Sequence, residues 1–200
     1  DPGFWRLNNP LHRVAELRGA EVSLVLAEAG FERTMNERFI EAAHRSLDNL
    51  ASAIAAQKLE NASRLLASAD NIYLIAKRRS YPVASYMAYA LSKLKVRCQV
   101  VGTSAGIDDD LLAMATERDA AFAISFAPYA PETAAQAAML AERNIPVVSL
   151  TDSAFSPLAE CSTLWFELVE ADHAGFRSLS ASMAFAMALT VSIAEKRRRG

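Results

Sequence analysis

Residues 71–82 read NIYLIAKRRSYP, and the way this stretch folds decides the architecture. Ile72–Ala76 is an apolar run of strand length. It passes without a break into Lys77, Arg78, Arg79 and Ser80, and a helical pattern begins at once, with Pro82 in its first turn. Proline is accommodated there because a first-turn N–H has no partner to lose. A strand, a short polar loop and a helix N-terminus together make an anion-binding device, since the helix start presents unpaired N–H groups and a partial positive charge.

The device recurs downstream. Ala120–Ser125 leads into FAPYAPET, and Pro146–Leu150 leads into Thr151, Asp152, Ser153 and the Ser156-Pro157 pair. Five β-type runs alternate with helical stretches: Ile72–Ala76, Cys98–Val101, Ala121–Ser125, Val147–Leu150 and Leu164–Leu168. Helices are expected near Pro82–Leu94, Ile107–Thr116 and Pro131–Arg143, in a short turn after Pro157, and from about Ser178 to Arg198. Strict alternation implies right-handed crossovers and an α/β fold with a parallel sheet covered on both faces. Ligands of such sheets sit at the carboxyl ends of the strands, where the strand order reverses. The KRRS and FAPYAPET loops both lie at carboxyl ends, so the expected ligand is an anionic metabolite.

Upstream of this pattern the texture is helical. Residues 1–10 read as an irregular arm, and Leu11–Gly30 as a helix stopped by Gly30. Apolar residues at three- and four-residue spacing continue from Phe31 to Ile54, and a shorter helix spans about Leu59–Ala69. The division expected is a helical extension or linker over 1–69 and a sheet domain over 70–200.

Composition narrows the function. Of the 200 residues 52% are hydrophobic and 22% charged, as in a folded globular protein, and a formal net charge of −2 argues against bulk binding to nucleic acid or anionic membranes. Leu179–Ala194 is the longest apolar segment, too short for a bilayer and carrying hydroxyls, so it reads as a buried helix. No secretory signal pattern opens the chain, and a cytoplasmic location is expected. Cys98 and Cys161 stand apart, outside any CxxC, and read as small buried residues. His12, His44 and His173 lack partners at metal-ligand spacing, so neither a metal nor a cofactor is expected.

In the first loop, Lys77, Arg78 and Arg79 either clamp a phosphate or carboxylate or form a solvated surface. Ser80 either caps the following helix or also bonds the ligand. In the second loop, Ser125 ends a strand and Tyr129 sits at the tip. Glu132 and Thr133 occupy the first turn of the next helix. Glu132 either complements the helix dipole or accepts sugar hydroxyls or a proton.

Residues 70–198 resemble the sugar isomerase (SIS) domain, in the version that ends RpiR-type bacterial transcriptional regulators. The resemblance rests on NIYLIAKRRSYPVASYMAYALSKL, AISFAPYAPETAAQAAMLAERNIPVVSLTDSAFSPLAE and FRSLSASMAFAMAL, with LDNLASAIAAQKLENASRLLASA matching the helices that precede the sheet. It implies a five-stranded parallel αβα sandwich of flavodoxin-like topology, a homodimer or higher homo-oligomer, and a phosphosugar or related metabolite as effector, while the departures from the family's loops described below point to a different anion such as a sugar acid. Arg78, Arg79, Ser80, Ser125, Tyr129, Glu132 and Thr133 are then ligand-binding and none is catalytic. The family's first loop is commonly Gly-x-Gly-x-Ser, and here only Ser80 of that pattern remains. Its second is commonly Ser-x-Ser-Gly-x-Thr-x-Glu, whereas this chain reads Ser125-Phe126-Ala127-Pro128-Tyr129-Ala130-Pro131-Glu132.

RpiR-type regulators bind DNA through an N-terminal helix-turn-helix, and none is evident here. With Asp1 as first residue, the chain reads as the effector-binding part of such a regulator. The alternatives are a pure dimerisation module with a vestigial pocket and an SIS-class aldose–ketose isomerase of sugar phosphates. That chemistry needs a base, for which Glu132 and His173 are the candidates.

Overall fold

The structure, a computed structural model, describes residues 31–102, 106–173 and 175–199. The arm and helix expected over residues 1–30 lie outside them.

Two helices come first, α1 (Phe31–Ala53) and α2 (Ala56–Ser68). Then follow β1 (Ile72–Ala76), a 3-10 turn (Arg78–Ser80), α3 (Tyr81–Lys93), β2 (Cys98–Val101), α4 (Asp108–Ala113) and β3 (Ala120–Ile124). The series continues with α5 (Pro131–Glu142), β4 (Val147–Thr151), α6 (Pro157–Cys161), β5 (Leu164–Glu167), a small hairpin of β6 (Asp172–His173) and β7 (Phe176–Arg177), and α7 (Ser180–Arg199).

Strands β1 to β5 form one parallel sheet in the order β2-β1-β3-β4-β5. The fold is the five-stranded αβα sandwich that the sequence implies. The three central strands are buried along their whole length, whereas edge strands β2 and β5 are only partly so. This is why the central runs are unbroken in apolar residues: each must satisfy two cores. Alternation along the strands divides the side chains between them. Ile72, Leu74, Phe122, Ile124, Val148 and Leu150 face a core completed by α2, α3 and α7. Tyr73, Ile75, Ala121, Ala123 and Val147 face a second core completed by Leu112 of α4, Ala137 and Leu140 of α5, and Leu158 of α6.

The last helix is apolar or small on nearly every face, more than one sheet layer can cover. Within this chain α2 and α3 already share that core with α7, whose Phe185, Ala186, Leu189 and Ile193 are buried in it. Among the described residues no helix is long and apolar enough to cross a membrane.

Helices α3 and α5 end alike. Lys95 and Asn144 take positive φ values of 61° and 57°, and Val96 N–H and Ile145 N–H return to the carbonyls of Leu91 and Leu140 at 3.0 Å each. These bonds close the helices and turn the chain toward β2 and β4. Gly102, at the exit of β2, has φ +118°, and a β-carbon there would stand 2.2 Å from the Ala76 carbonyl oxygen. The β1 and β2 exits therefore approach each other as only glycine permits.

The sequence reading missed the β6–β7 hairpin. EADHAGFRS has too few residues per strand for a period-two pattern to register. The hairpin lies against α1: the Phe39 ring meets His173 edge-on at 5.2 Å and Phe176 at 6.4 Å. Just before it, Ala171 N–H donates to Ser46 Oγ at 2.8 Å.

Candidate functional site

The strand order reverses between β1 and β3, so the crevice lies where their two loops diverge. A cleft of about 210 Å³ opens there, lined by Lys77, Arg78, Arg79 and Ser80 from one loop and by Ser125, Phe126, Ala127, Pro128 and Ala130 from the other.

The three adjacent cations take three different roles. Lys77 turns to α4 and pairs with Asp108 at 2.7 Å, and the same carboxylate accepts Gly102 N–H at 3.0 Å. Its charge is thus taken up in tying the β1 exit to the β2 exit. Arg78 adopts φ 54° and is exposed. Arg79 turns inward, with its guanidinium 4.7 Å from the centre of the Phe126 ring. Burial first, then the nearby Arg177 charge, pulls the Arg79 pKa below its ordinary value, and Asp152, Glu170 and Asp172 oppose that shift. One of its terminal nitrogens is buried without a hydrogen-bond partner, and the guanidinium enters no ion pair with the described residues. An unsatisfied buried donor costs about 1–3 kcal/mol, which a bound acceptor would recover.

Ser80 is buried at the start of α3 and its hydroxyl makes no capping bond. Its own N–H donates to the Lys77 carbonyl at 3.2 Å, closing the 3-10 turn. Ser125, also buried, accepts Ala130 N–H on Oγ at 3.2 Å and so holds the second loop in shape.

The other sequence candidates stand away from this cleft. Tyr129 turns toward Asp152, Ser153 and Ser156. Burial, and then the Asp152 carboxylate, push its phenol above the usual range. Because the folded-state value is raised, the contribution to stability is fully present below the unfolded value near 10 and is lost as pH rises through the folded one. Urea midpoints should therefore fall in alkali, and Tyr129→Phe should make that fall shallower. An identical alkaline slope for parent and variant would refute the assignment.

Glu132 is exposed on α5 and lines a second cavity of about 370 Å³ with Lys77, Gly106, Asp108, Asp109 and Gln136. Thr133 is fully buried behind it, its hydroxyl without a partner. Gln136 donates to Asp109 Oδ1 at 3.1 Å, while its own carbonyl oxygen is buried and unpaired. His173, the other candidate base, packs against Phe39.

Two residues that hold the site were not singled out as a pair from the sequence. Asp152, at the end of β4, accepts Ala127 N–H on both oxygens at 3.2 and 3.0 Å. Arg177 of the hairpin donates to Asp152 at 3.2 Å and to the Ala127 carbonyl at 2.9 Å. The sequence placed Asp152 only in the loop that leaves the fourth apolar run, and helix capping there falls to Ser156, whose Oγ accepts Leu158 N–H at 3.2 Å. Glu170 is buried nearby and accepts Ser182 N–H at 2.7 Å, in the first turn of α7. Cys98 and Cys161 are half-buried rather than buried, with thiol pKa values raised chiefly by desolvation. Among the described residues no group of three or more His, Cys, Asp or Glu is placed to hold a metal ion.

Comparison with known proteins places this geometry. The SIS domain family model matches residues 65–192. No curated protein sequence matches the chain. Among solved structures, the sugar isomerase domain of an RpiR transcription factor from Sphaerobacter thermophilus is similar at 22% identity and TM-score 0.73, over 85% of this chain and 93% of that one. The Vibrio vulnificus NanR protein, complexed with ManNAc-6P, is similar at 24% identity and TM-score 0.71, over 90% of this chain and 68% of that one. A Methanococcus jannaschii protein, whose structure infers a 3-hexulose-6-phosphate isomerase function, reaches 16% identity and TM-score 0.64, over 81% of this chain and 90% of that one. At these identities the structural likeness establishes the fold.

Proposed function

The chain belongs to the SIS-domain family, and on that premise we propose that it is the effector-binding and dimerising domain of an RpiR-type transcriptional regulator sensing an anionic, sugar-derived metabolite. The observation that carries the reading is the lining of the β1/β3 cleft. Among the described residues its only titratable side chains are Lys77, Arg78 and Arg79, with no carboxylate or imidazole among them. Aldose–ketose isomerisation moves a proton between adjacent carbons and needs a base within hydrogen-bond reach. Arg79, the one of these cations that turns into the cleft without an ion-pair partner among the described residues, suits retention of an anion with Ser80 and Ser125 rather than proton transfer. The regulators among the similar structures, one of them complexed with ManNAc-6P, support the same reading. The Methanococcus jannaschii protein is the counterpart that an isomerase reading would draw on.

In this reading the effector acts by differential affinity for two arrangements of a dimer, which carries DNA-binding segments with it. Support for self-association comes from Phe39, Ile40 and Leu47 of α1 and Val191 of α7, which remain exposed.

The test is chromatin immunoprecipitation of the full gene product, with light scattering of the purified chain as its companion. A discrete set of promoters should be enriched, and the chain should scatter as at least a dimer of its 21.7 kDa unit. Absence of any enriched promoter, together with solvent deuterium entering a sugar phosphate at the carbon next to the carbonyl, would transfer the protein to the isomerases.

A further inference from the structure

We propose that the effector is a hydroxylated monocarboxylic acid, a sugar acid, whose carboxylate is received by Arg79 in the β1/β3 cleft and whose hydroxyls reach the cavity of Asp109, Glu132 and Gln136. This rests on the effector-binding reading and narrows its ligand class.

The first argument concerns donors. A phosphate group presents three oxygens and between one and a half and two negative charges, so it is best held by donors converging from several sides. Here the β3 side of the cleft is nearly closed to it. Ser125 N–H donates to the Leu150 carbonyl, Ala127 N–H to Asp152, and Ala130 N–H to Ser125 Oγ. Pro128 has no N–H to give. What remains on that wall is the Ser125 hydroxyl proton, the Phe126 N–H and the face of the Phe126 ring. The anion is therefore met mainly from the β1 side, by Arg79. A guanidinium seated 4.7 Å from the centre of an aromatic ring keeps its planar fork of parallel N–H groups, which is the shape of a carboxylate.

The second argument concerns charge. Lys77 is neutralised by Asp108 and Arg177 by Asp152. Arg78 is exposed, where screening weakens its pull. Among the described residues of the cleft one inward cation remains, and it matches one negative charge. The neighbouring cavity adds Asp109 and Glu132, whose negative charges disfavour a second charge on the ligand.

The third argument concerns the rest of the ligand. Lys77 borders both cavities, so the two adjoin at its side chain, and in this proposal a molecule seated on Arg79 extends past it toward the second. The second cavity presents acceptors: Asp109, Glu132, and the carbonyl oxygen of Gln136, a residue only 7% exposed whose oxygen has no partner. Acceptors of this kind pair with hydroxyl donors.

The test is calorimetry on the folded chain with four probes: D-gluconate, D-glucuronate, glucose 6-phosphate and hexanoate. At least one of the two sugar acids should bind about tenfold or more tightly than glucose 6-phosphate, and more tightly than hexanoate, which lacks the hydroxyls. Arg79→Lys keeps the charge but not the fork and should weaken that acid about tenfold or more, while Arg64→Ala, which removes an exposed cation of α2 outside both cavities, should change it less than about threefold. A matching melting temperature certifies that each variant is folded. Tighter binding of glucose 6-phosphate, an unchanged affinity in Arg79→Lys, or no heat from either sugar acid up to about 5 mM would overturn the inference. None of these results touches promoter enrichment, so the regulator reading stands or falls separately.

Discussion

Phe185→Ala lowers the stability of the domain by about 3–5 kcal/mol, the largest single loss expected from this structure. Phe185 is 2% exposed, and its ring lies 4.7 Å from Phe166 and 6.4 Å from Phe122. It is the side chain through which α7 grips β5 and β3. The cavity left behind cannot collapse freely, because hydrogen-bonded ladders fix the spacing of the strands beneath it. Phe155 is the internal contrast, since it is 97% exposed and its replacement by alanine should stay within about 0.5 kcal/mol. Urea denaturation at constant m-value measures both. A loss below about 1 kcal/mol for Phe185→Ala would mean that α7 packs differently.

Asp152→Ala comes next, at about 2–3 kcal/mol, and it also disturbs the cleft. The Asp152 side chain is 13% exposed and binds both Ala127 N–H and Arg177. Its removal leaves a backbone donor without an acceptor and frees the hairpin's arginine. Because the Arg177 side chain is 35% exposed, the ion pair alone is partly screened, and most of the cost lies in the orphaned amide. Asp152→Asn keeps an oxygen for that amide and should lose about half as much. If alanine and asparagine variants both melt with the parent, the contact is a surface ion pair of no structural weight.

The sheet was legible because its signal is local. Ile72–Ala76 and Cys98–Val101 form strands with the bounds read from the sequence, and the other three differ by one residue at one or both ends. Burial on both faces leaves an uninterrupted apolar run that needs no partner to be noticed. The contact between Arg177 and Ala127 spans fifty residues, and nothing near either residue announces it. The three cations at 77–79 were indistinguishable as letters. A salt bridge to Asp108, a positive φ and an aromatic ring then separate them. Tyr129 and Glu132 lie in the expected loop and helix but face other neighbours, because a loop's sequence records its turns and not the direction of its side chains.

The internally bonded amides of the β3 loop have a consequence for how such a site changes over time. An amide cradle is made of main chain, so substitution can hardly alter what it binds without altering the turn itself. Where Asp152 and Ser125 already occupy those amides, selectivity passes to side chains, each encoded by a single codon. Such a scaffold can be re-addressed to a new metabolite one replacement at a time while its backbone stays as it is.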